Sequence, residues 1–109
     1  MHELSITQSV IDTVVERTQG ARVKVVRLTI GRLSGVVPDS VRFCFELIAD
    51  GTPLQGARLD IHEPVGRASC RGCGQRFELR ELILLCPCGS ADVSVEDGQQ
   101  LALTSVEVA

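Results

Sequence analysis

Hydrophobic residues recur at helical spacing near the start of the chain. Between about Leu4 and Thr18 they fall in two adjacent rows, three and four positions apart, formed by Leu4, Ile6, Val10, Ile11, Val14 and Val15. This spacing predicts an amphipathic helix. A second helix is predicted to begin at Pro38, because proline is favoured in a first helical turn, and to end by Gly51.

Other segments alternate between apolar and polar residues, which is typical of half-buried strands. They are Arg22 to Gly31, Ala57 to His62, and two later stretches around Val93–Val95 and Leu101–Val108. A stretch rich in cysteine and glycine runs from near Pro64 to about Ser90. We therefore predict an α+β fold in which two helices pack on a small mixed β-sheet. A zinc-ribbon module is inserted before the last strand, which returns to the main sheet.

The predicted domain bounds follow from this change of composition. Residues 1–65, completed by 98–109, are assigned to the α+β domain, and residues 66–97 to the inserted module. The chain has 109 residues and 44% hydrophobic residues but only 3% aromatic ones. A core is therefore expected to consist mainly of aliphatic side chains.

Charge and hydropathy restrict the possible surroundings of the chain. A net charge of −3 and a pI near 5.3 argue against a nucleic-acid partner. No apolar run approaches the roughly 18 residues that a membrane span needs, and the N-terminus lacks the pattern of a signal peptide. We expect a cytoplasmic protein with no membrane partner. In a reducing compartment its five cysteines are better explained as metal ligands or buried thiols than as disulfides.

Four of the cysteines form the pattern C-x2-C-x12-C-x-C, through Cys70, Cys73, Cys86 and Cys88. Two close pairs joined by a short ribbon favour a tetrahedral Zn²⁺ site with no open position for water, so we expect a structural zinc. Disulfide or redox pairs are the alternatives. Leu82 and Leu84 are expected to form an arm of a hairpin between the pairs, opposite Phe77 and Leu79. Nearby guanidinium groups are expected to offset the charge of the four thiolates, namely Arg67, Arg71, Arg76 and Arg80.

Two histidines and the fifth cysteine lie outside this pattern. His62 falls on the polar face of a predicted strand, where solvent exposure is expected, although it is the nearest substitute zinc ligand in sequence. Cys44 is expected to be a small buried apolar residue, with metal ligation as the alternative.

His2 follows Met1 directly, so the terminal amine, the His2 amide nitrogen and the imidazole can chelate one ion in a plane. Glu3 could supply a fourth donor. Such a nitrogen-rich planar set suits Ni(II) or Cu(II), but a histidine at this position is also commonly an exposed surface residue.

Several segments occur together with the paired cysteines, namely Met1-His2-Glu3-Leu4-Ser5, Val26-Arg27-Leu28-Thr29-Ile30-Gly31, Phe43-Cys44-Phe45-Glu46-Leu47 and Val106-Glu107-Val108. This combination resembles the HypA/HybF family of hydrogenase nickel-incorporation proteins over essentially the whole chain. The second cysteine pair departs from the family, in which two residues commonly separate the cysteines.

The resemblance implies a nickel metallochaperone, not an enzyme. It implies Ni²⁺ on His2, with Met1 and Glu3 as possible further donors, and zinc on Cys70, Cys73, Cys86 and Cys88. The implied partners are a nickel-binding GTPase and the large subunit of a nickel–iron hydrogenase, and some relatives also serve urease. The rival interpretations are a zinc-ribbon module for protein interaction or nucleic-acid binding, and a redox or hydrolytic enzyme. The charge and the scarcity of aromatic residues weigh against the nucleic-acid module, and the closed four-sulfur pattern weighs against the enzyme.

Overall fold

The computed structural model describes residues 3–109, and Met1 and His2 lie outside it. Two helices and six strands form the described part of the chain. In order they are α1 (Glu3–Arg17), β1 (Val23–Ile30), α2 (Pro38–Ala49), β2 (Arg58–His62), β3 (Gly66–Cys70), β4 (Arg76–Leu79), β5 (Val93–Asp97) and β6 (Leu101–Val108). This set of helices and strands confirms the predicted α+β class.

The strands form two three-stranded sheets. The first has the order β2-β1-β6, so the last strand returns to lie beside β1 as predicted. The second has the order β4-β3-β5, and β3 pairs antiparallel with both neighbours. Ala68 in the middle of β3 is paired with Phe77 on one side and Val95 on the other.

The chain divides into two compact units. The first comprises the described residues up to Leu28 together with Val36–Ile61 and Ala102–Ala109. The second comprises Thr29–Gly35 and His62–Leu101. Each unit therefore draws on segments that are distant in sequence.

The core of the first unit is aliphatic, in keeping with the composition. Helices α1 and α2 pack together, and each buries one side of its surface. The buried residues of the two helices are Thr7, Ile11 and Val14 of α1 and Val41, Phe45 and Ala49 of α2. The buried hydroxyl of Thr7 donates a hydrogen bond of 2.6 Å to the carbonyl oxygen of Glu3 one turn earlier, so this polar group is satisfied.

The core of the second unit is small. Leu33, Ala68 and Leu79 are buried, and Phe77 and Val95 pack against them half-buried. Residues from the two segments of this unit are joined by main-chain hydrogen bonds, including Gly31 N to Gln100 O at 2.8 Å and Leu33 N to Gly98 O at 2.8 Å. So few buried side chains provide little hydrophobic stabilisation for a unit of this length.

The predicted hairpin arm at Leu82 and Leu84 is wrong. β4 pairs with β3 instead, and the chain from Arg80 to Pro87 contains no strand. The run Leu82-Ile83-Leu84-Leu85 is apolar at every position and exposed throughout. Because it does not alternate, it has no single apolar face to place against a sheet.

Within residues 3–109, neither helix is long and apolar enough to cross a membrane.

Candidate metal centre

The structure brings together the four cysteines of the sequence pattern. Their sulfur atoms all lie within 4.8 Å of one another. Cys70 Sγ is 3.8 Å from Cys88 Sγ, and Cys73 Sγ is 3.6 Å from Cys86 Sγ. A disulfide needs about 2.05 Å between its sulfurs, and all five cysteines are free. The arrangement is therefore a thiol cluster.

Each cysteine pair lies in a tight turn. Cys70 ends β3, and the amide of Gly74 donates to its carbonyl oxygen at 2.9 Å. In the second pair the amide of Gly89 donates to the carbonyl oxygen of Cys86 at 2.8 Å. Both glycines have positive φ, 77° and 97°, which residues with a side chain adopt only at a cost. These glycines let each turn fold the second cysteine back toward the first.

Backbone amides in these turns point at sulfur. The amide of Cys73 lies 3.4 Å from Cys70 Sγ, and the amide of Cys88 lies 3.4 Å from Cys86 Sγ. The Cys73 amide lowers the pKa of the Cys70 thiol to about 6, because a donated hydrogen bond favours the thiolate. Burial raises the pKa of Cys86 to about 12. The hydrogen bond thus favours the thiolate of Cys70, whereas burial favours the protonated form of Cys86.

The cluster has the dimensions of a zinc site. A tetrahedron with Zn–S bonds of about 2.3 Å has edges of about 3.8 Å between its sulfurs. The sulfur–sulfur distances of Cys70–Cys88 and Cys73–Cys86, 3.8 and 3.6 Å, are close to this value. Cys70 and Cys86 are each 2% exposed, while Cys73 and Cys88 are exposed. The residues present thus fit a four-coordinate thiophilic cation such as Zn²⁺, with one ligand of each pair facing solvent.

The arginines near the cluster are mostly engaged elsewhere. Arg71 pairs with Asp92 at 2.8 Å, and the other two ion pairs of this group are Arg67–Glu78 at 3.7 Å and Arg76–Glu96 at 3.6 Å. Each of these three guanidinium groups has a carboxylate partner, and the expectation that the arginines offset the thiolate charge stays a prediction. One contact to the cluster was not predicted. Gln75 Oε1 lies 4.0 Å from Cys86 Sγ, and no spacing rule in the sequence indicates it.

None of the other candidate residues that the structure describes belongs to this cluster. His62 is exposed as predicted, and it does not belong to the metal-binding group found among residues 3–109. Cys44 is half-buried on α2 rather than fully buried. Glu3 is half-buried in the first turn of α1, where its Oε2 accepts a hydrogen bond of 3.3 Å from the amide of Val37. The predicted nickel ligands Met1 and His2 lie outside the described residues.

Comparison with known proteins places the whole chain in one family. The family described as "Hydrogenase/urease nickel incorporation, metallochaperone, hypA" matches residues 1–108. The chain is 46% identical over 109 residues to the hydrogenase maturation factor HypA of Geobacter metallireducens, covering 99% of each chain. It belongs to the HypA family. A second relative, the HypA of a Nostoc species, is 44% identical over 108 residues, which cover 99% of this chain and 96% of the relative.

A solved HypA structure has the same fold. The solution structure of the nickel metallochaperone HypA from Helicobacter pylori matches with a TM-score of 0.64 and 25% identity, covering 99% of this chain and 97% of that one. Membership in the HypA family confirms the predicted role as a nickel metallochaperone in hydrogenase maturation. The protein is thus a maturation factor and not a catalytic enzyme.

Proposed function

We propose that this HypA-family chain holds Ni²⁺ on its first residues and delivers it during maturation of a nickel–iron hydrogenase. The observation that carries the proposal is the match to a nickel-incorporation family over residues 1–108 in a chain that begins Met-His-Glu. The terminal amine, the His2 amide nitrogen and the His2 imidazole form fused chelate rings around one ion. Their planar nitrogen geometry suits Ni²⁺ and disfavours ions that require oxygen-rich octahedral sites.

The side chain of Glu3 has a different role in this proposal. Its carboxylate accepts a hydrogen bond from the amide of Val37 and so ties the first turn of α1 to the residues just before α2. A carboxylate engaged in this way is better suited to positioning the start of the chain than to binding the ion. In this proposal the further nitrogen donor from Glu3 is its backbone amide.

Zinc has a structural role in this proposal. Cys70, Cys73, Cys86 and Cys88 hold Zn²⁺, and the residues 66–97 around it form a zinc ribbon. Residues 1–65, completed by 98–109, form the nickel-binding domain. Four sulfur ligands leave no position for a reacting water, and the small core of the second unit requires the metal for stability.

Delivery requires ligand exchange with a partner. We propose that the protein works in the cytoplasm with a nickel-binding GTPase of the hydrogenase maturation system and with the hydrogenase large subunit. A chelate at the chain terminus can be displaced one donor at a time, which permits transfer without release of the free ion. Because the amine and imidazole must lose their protons to bind, nickel affinity decreases in mild acid.

The decisive experiment uses the two histidines of the chain as a matched pair. Untagged, zinc-loaded protein is titrated with Ni²⁺, and the His2→Ala and His62→Ala variants are compared with it. His2→Ala should weaken nickel binding by at least about a hundredfold, since it removes one of the chelating nitrogens, whereas His62→Ala should bind normally. Both should retain zinc.

The same variants are then tested for hydrogenase activity in cells. His2→Ala should lose activity, and excess nickel in the medium should restore part of it. Extending the chain ahead of Met1 should also weaken nickel binding, because the terminal amine becomes a peptide nitrogen. Normal nickel binding by His2→Ala would exclude the N-terminal site. Zinc uptake with no specific nickel uptake by the wild type would leave only a zinc-ribbon interaction module.

A further inference from the structure

One face of α2 is exposed and carries large apolar side chains. Phe43 and Leu47 are 64% and 61% exposed, although both are large hydrophobic residues one helical turn apart. On the neighbouring helix Leu4 is 56% exposed. A groove of about 500 Å³ runs between the starts of the two helices, and its lining residues are Glu3, Leu4, Asp39, Ser40, Phe43 and Cys44. Exposed apolar surface of this kind marks an interaction site more often than a random surface does.

Carboxylates surround these apolar side chains. At 100° per residue, Asp39, Phe43, Glu46, Leu47 and Asp50 fall within an arc of about 100° on α2 and the residue that follows it. We call this set the α2 face. Arg42 pairs with Asp39 at 3.0 Å, while neither Glu46 nor Asp50 has an ion-pair partner in the described part of the chain. The face thus combines two apolar anchors with excess negative charge.

We propose that the α2 face, together with Leu4, docks a protein segment whose apolar side chains are flanked by lysine or arginine. Phe43 and Leu47, one helical turn apart on the α2 face, match the side-chain spacing of an amphipathic helix laid along that face. The unpaired carboxylates at positions 46 and 50 then meet the partner's cations at the rim of the contact.

The charge of the face decides among other occupants. A second copy of this chain would place carboxylates against carboxylates, which is unfavourable. Nucleic acid and anionic membrane surfaces would be repelled for the same reason. A basic amphipathic protein segment is the occupant for which both the apolar and the charged components are favourable.

The position of the face gives it a functional meaning. Glu3 and Leu4 line the same groove as Phe43, so a segment seated there lies beside the start of α1. That the docked protein is a donor or acceptor of nickel rests on the proposed function, whereas docking itself does not. A partner held at this groove would be close to the residues that we propose carry the ion.

The test uses two synthetic helical peptides of about 16 residues with leucines at the same positions. One carries lysines beside the leucines, and the other carries glutamates. Binding to the zinc-loaded full chain is measured by fluorescence anisotropy at low and high salt. The lysine peptide should bind at least about tenfold more tightly than the glutamate peptide, and the difference should shrink at high salt.

Three variants identify the surface. Phe43→Ser with Leu47→Ser should weaken binding of the lysine peptide by at least about tenfold. Glu46→Lys with Asp50→Lys should reverse the preference toward the glutamate peptide. The matched control, Glu63→Lys with Glu81→Lys, changes the net charge equally at two exposed carboxylates that belong to the second unit. It should leave the preference unchanged.

Circular dichroism and nickel titration accompany each variant, so that misfolding and loss of the nickel site are separated from loss of docking. All three variants should fold and bind nickel as the wild type does. Equal binding of the two peptides by the folded wild type would overturn the proposal. Reversal of the peptide preference by Glu63→Lys with Glu81→Lys would also overturn it. Binding of the lysine peptide as tight as in the wild type by folded Phe43→Ser with Leu47→Ser would overturn it as well. Failure of nickel binding in the wild type would refute the proposed function but not the docking surface.

Discussion

Serine at Cys86 should weaken zinc binding far more than serine at Cys88. The two residues are separated by a single proline, yet Cys86 is buried and Cys88 is exposed. In either variant the cluster loses one thiolate. At the exposed position water can take the vacated place on the ion, whereas at the buried position the new hydroxyl is enclosed.

The size of the difference follows from this contrast. Structural zinc binding is worth about 10–16 kcal/mol, or roughly 3 kcal/mol for each of four ligands, and about 1.4 kcal/mol corresponds to a factor of ten. Cys88→Ser should therefore reduce zinc affinity about a hundredfold. Cys86→Ser adds the cost of a buried polar group without a good partner, about 1–3 kcal/mol. Its total loss should be on the order of a thousandfold or more.

Competition with a colorimetric zinc chelator measures both affinities in the purified variants. Cys44→Ser is the control, because Cys44 does not belong to the cluster, and its zinc affinity should equal that of the wild type. Equal losses at positions 86 and 88 would show that burial does not set the difference. Unchanged affinity in both variants would show that the ion is held elsewhere.

Three further predictions concern stability. Gly66→Ala should destabilise the second unit by about 1–3 kcal/mol in denaturant unfolding, because an added Cβ would lie 2.1 Å from Cδ1 of the buried Leu33. Gly72→Ala is the control, because the atom nearest to its added Cβ would be 3.5 Å away. Arg27 lowers the pKa of Glu107 below its ordinary 4.5. The Arg27–Glu107 pair therefore stabilises the fold above pH 4.5, and this stability is lost as the pH falls through the lowered pKa. The melting temperatures of wild type and Glu107→Gln should differ at neutral pH and converge in acid. Chelation of zinc should remove hydrogen-exchange protection from β3, β4 and β5 while α1 and α2 remain protected, and equal loss in both regions would contradict a separate metal-stabilised unit.

The elements with a regular period could be predicted from the sequence. The repeat of Ile11 and Val14 with their neighbours gave α1, and Pro38 marked the start of α2. Both signals are local, because the side chains that share one face of a helix lie within a few residues of one another. The cysteine cluster was predictable for a similar reason. The two cysteines of each pair are close in sequence. The cluster then requires only one long-range contact, which brings the two pairs together.

Pairing between strands could not be predicted in the same way. Phe77 lies opposite Ala68 in β3 and not opposite Leu82 or Leu84, although the apolar pattern of the sequence permits either pairing. The choice depends on which segments share a core, and that is a property of the whole second unit. The partners of Arg67, Arg71 and Arg76 were missed for the same reason. Two of their carboxylates, Asp92 and Glu96, lie about 20 residues further along the chain.

The second cysteine pair forms its turn with one residue fewer between the cysteines than the first pair. In both pairs the amide of the second cysteine lies 3.4 Å from the sulfur of the first, although two residues separate one pair and a single proline separates the other. Gly89, at a φ of 97°, directs its amide to the carbonyl oxygen of Cys86 and closes the shorter turn. The contacts between the pairs, 3.8 and 3.6 Å, are correspondingly similar. A single intervening residue therefore suffices to place the sulfurs of the second pair in the arrangement that a tetrahedral cation requires, and a glycine at positive φ closes the turn after each pair.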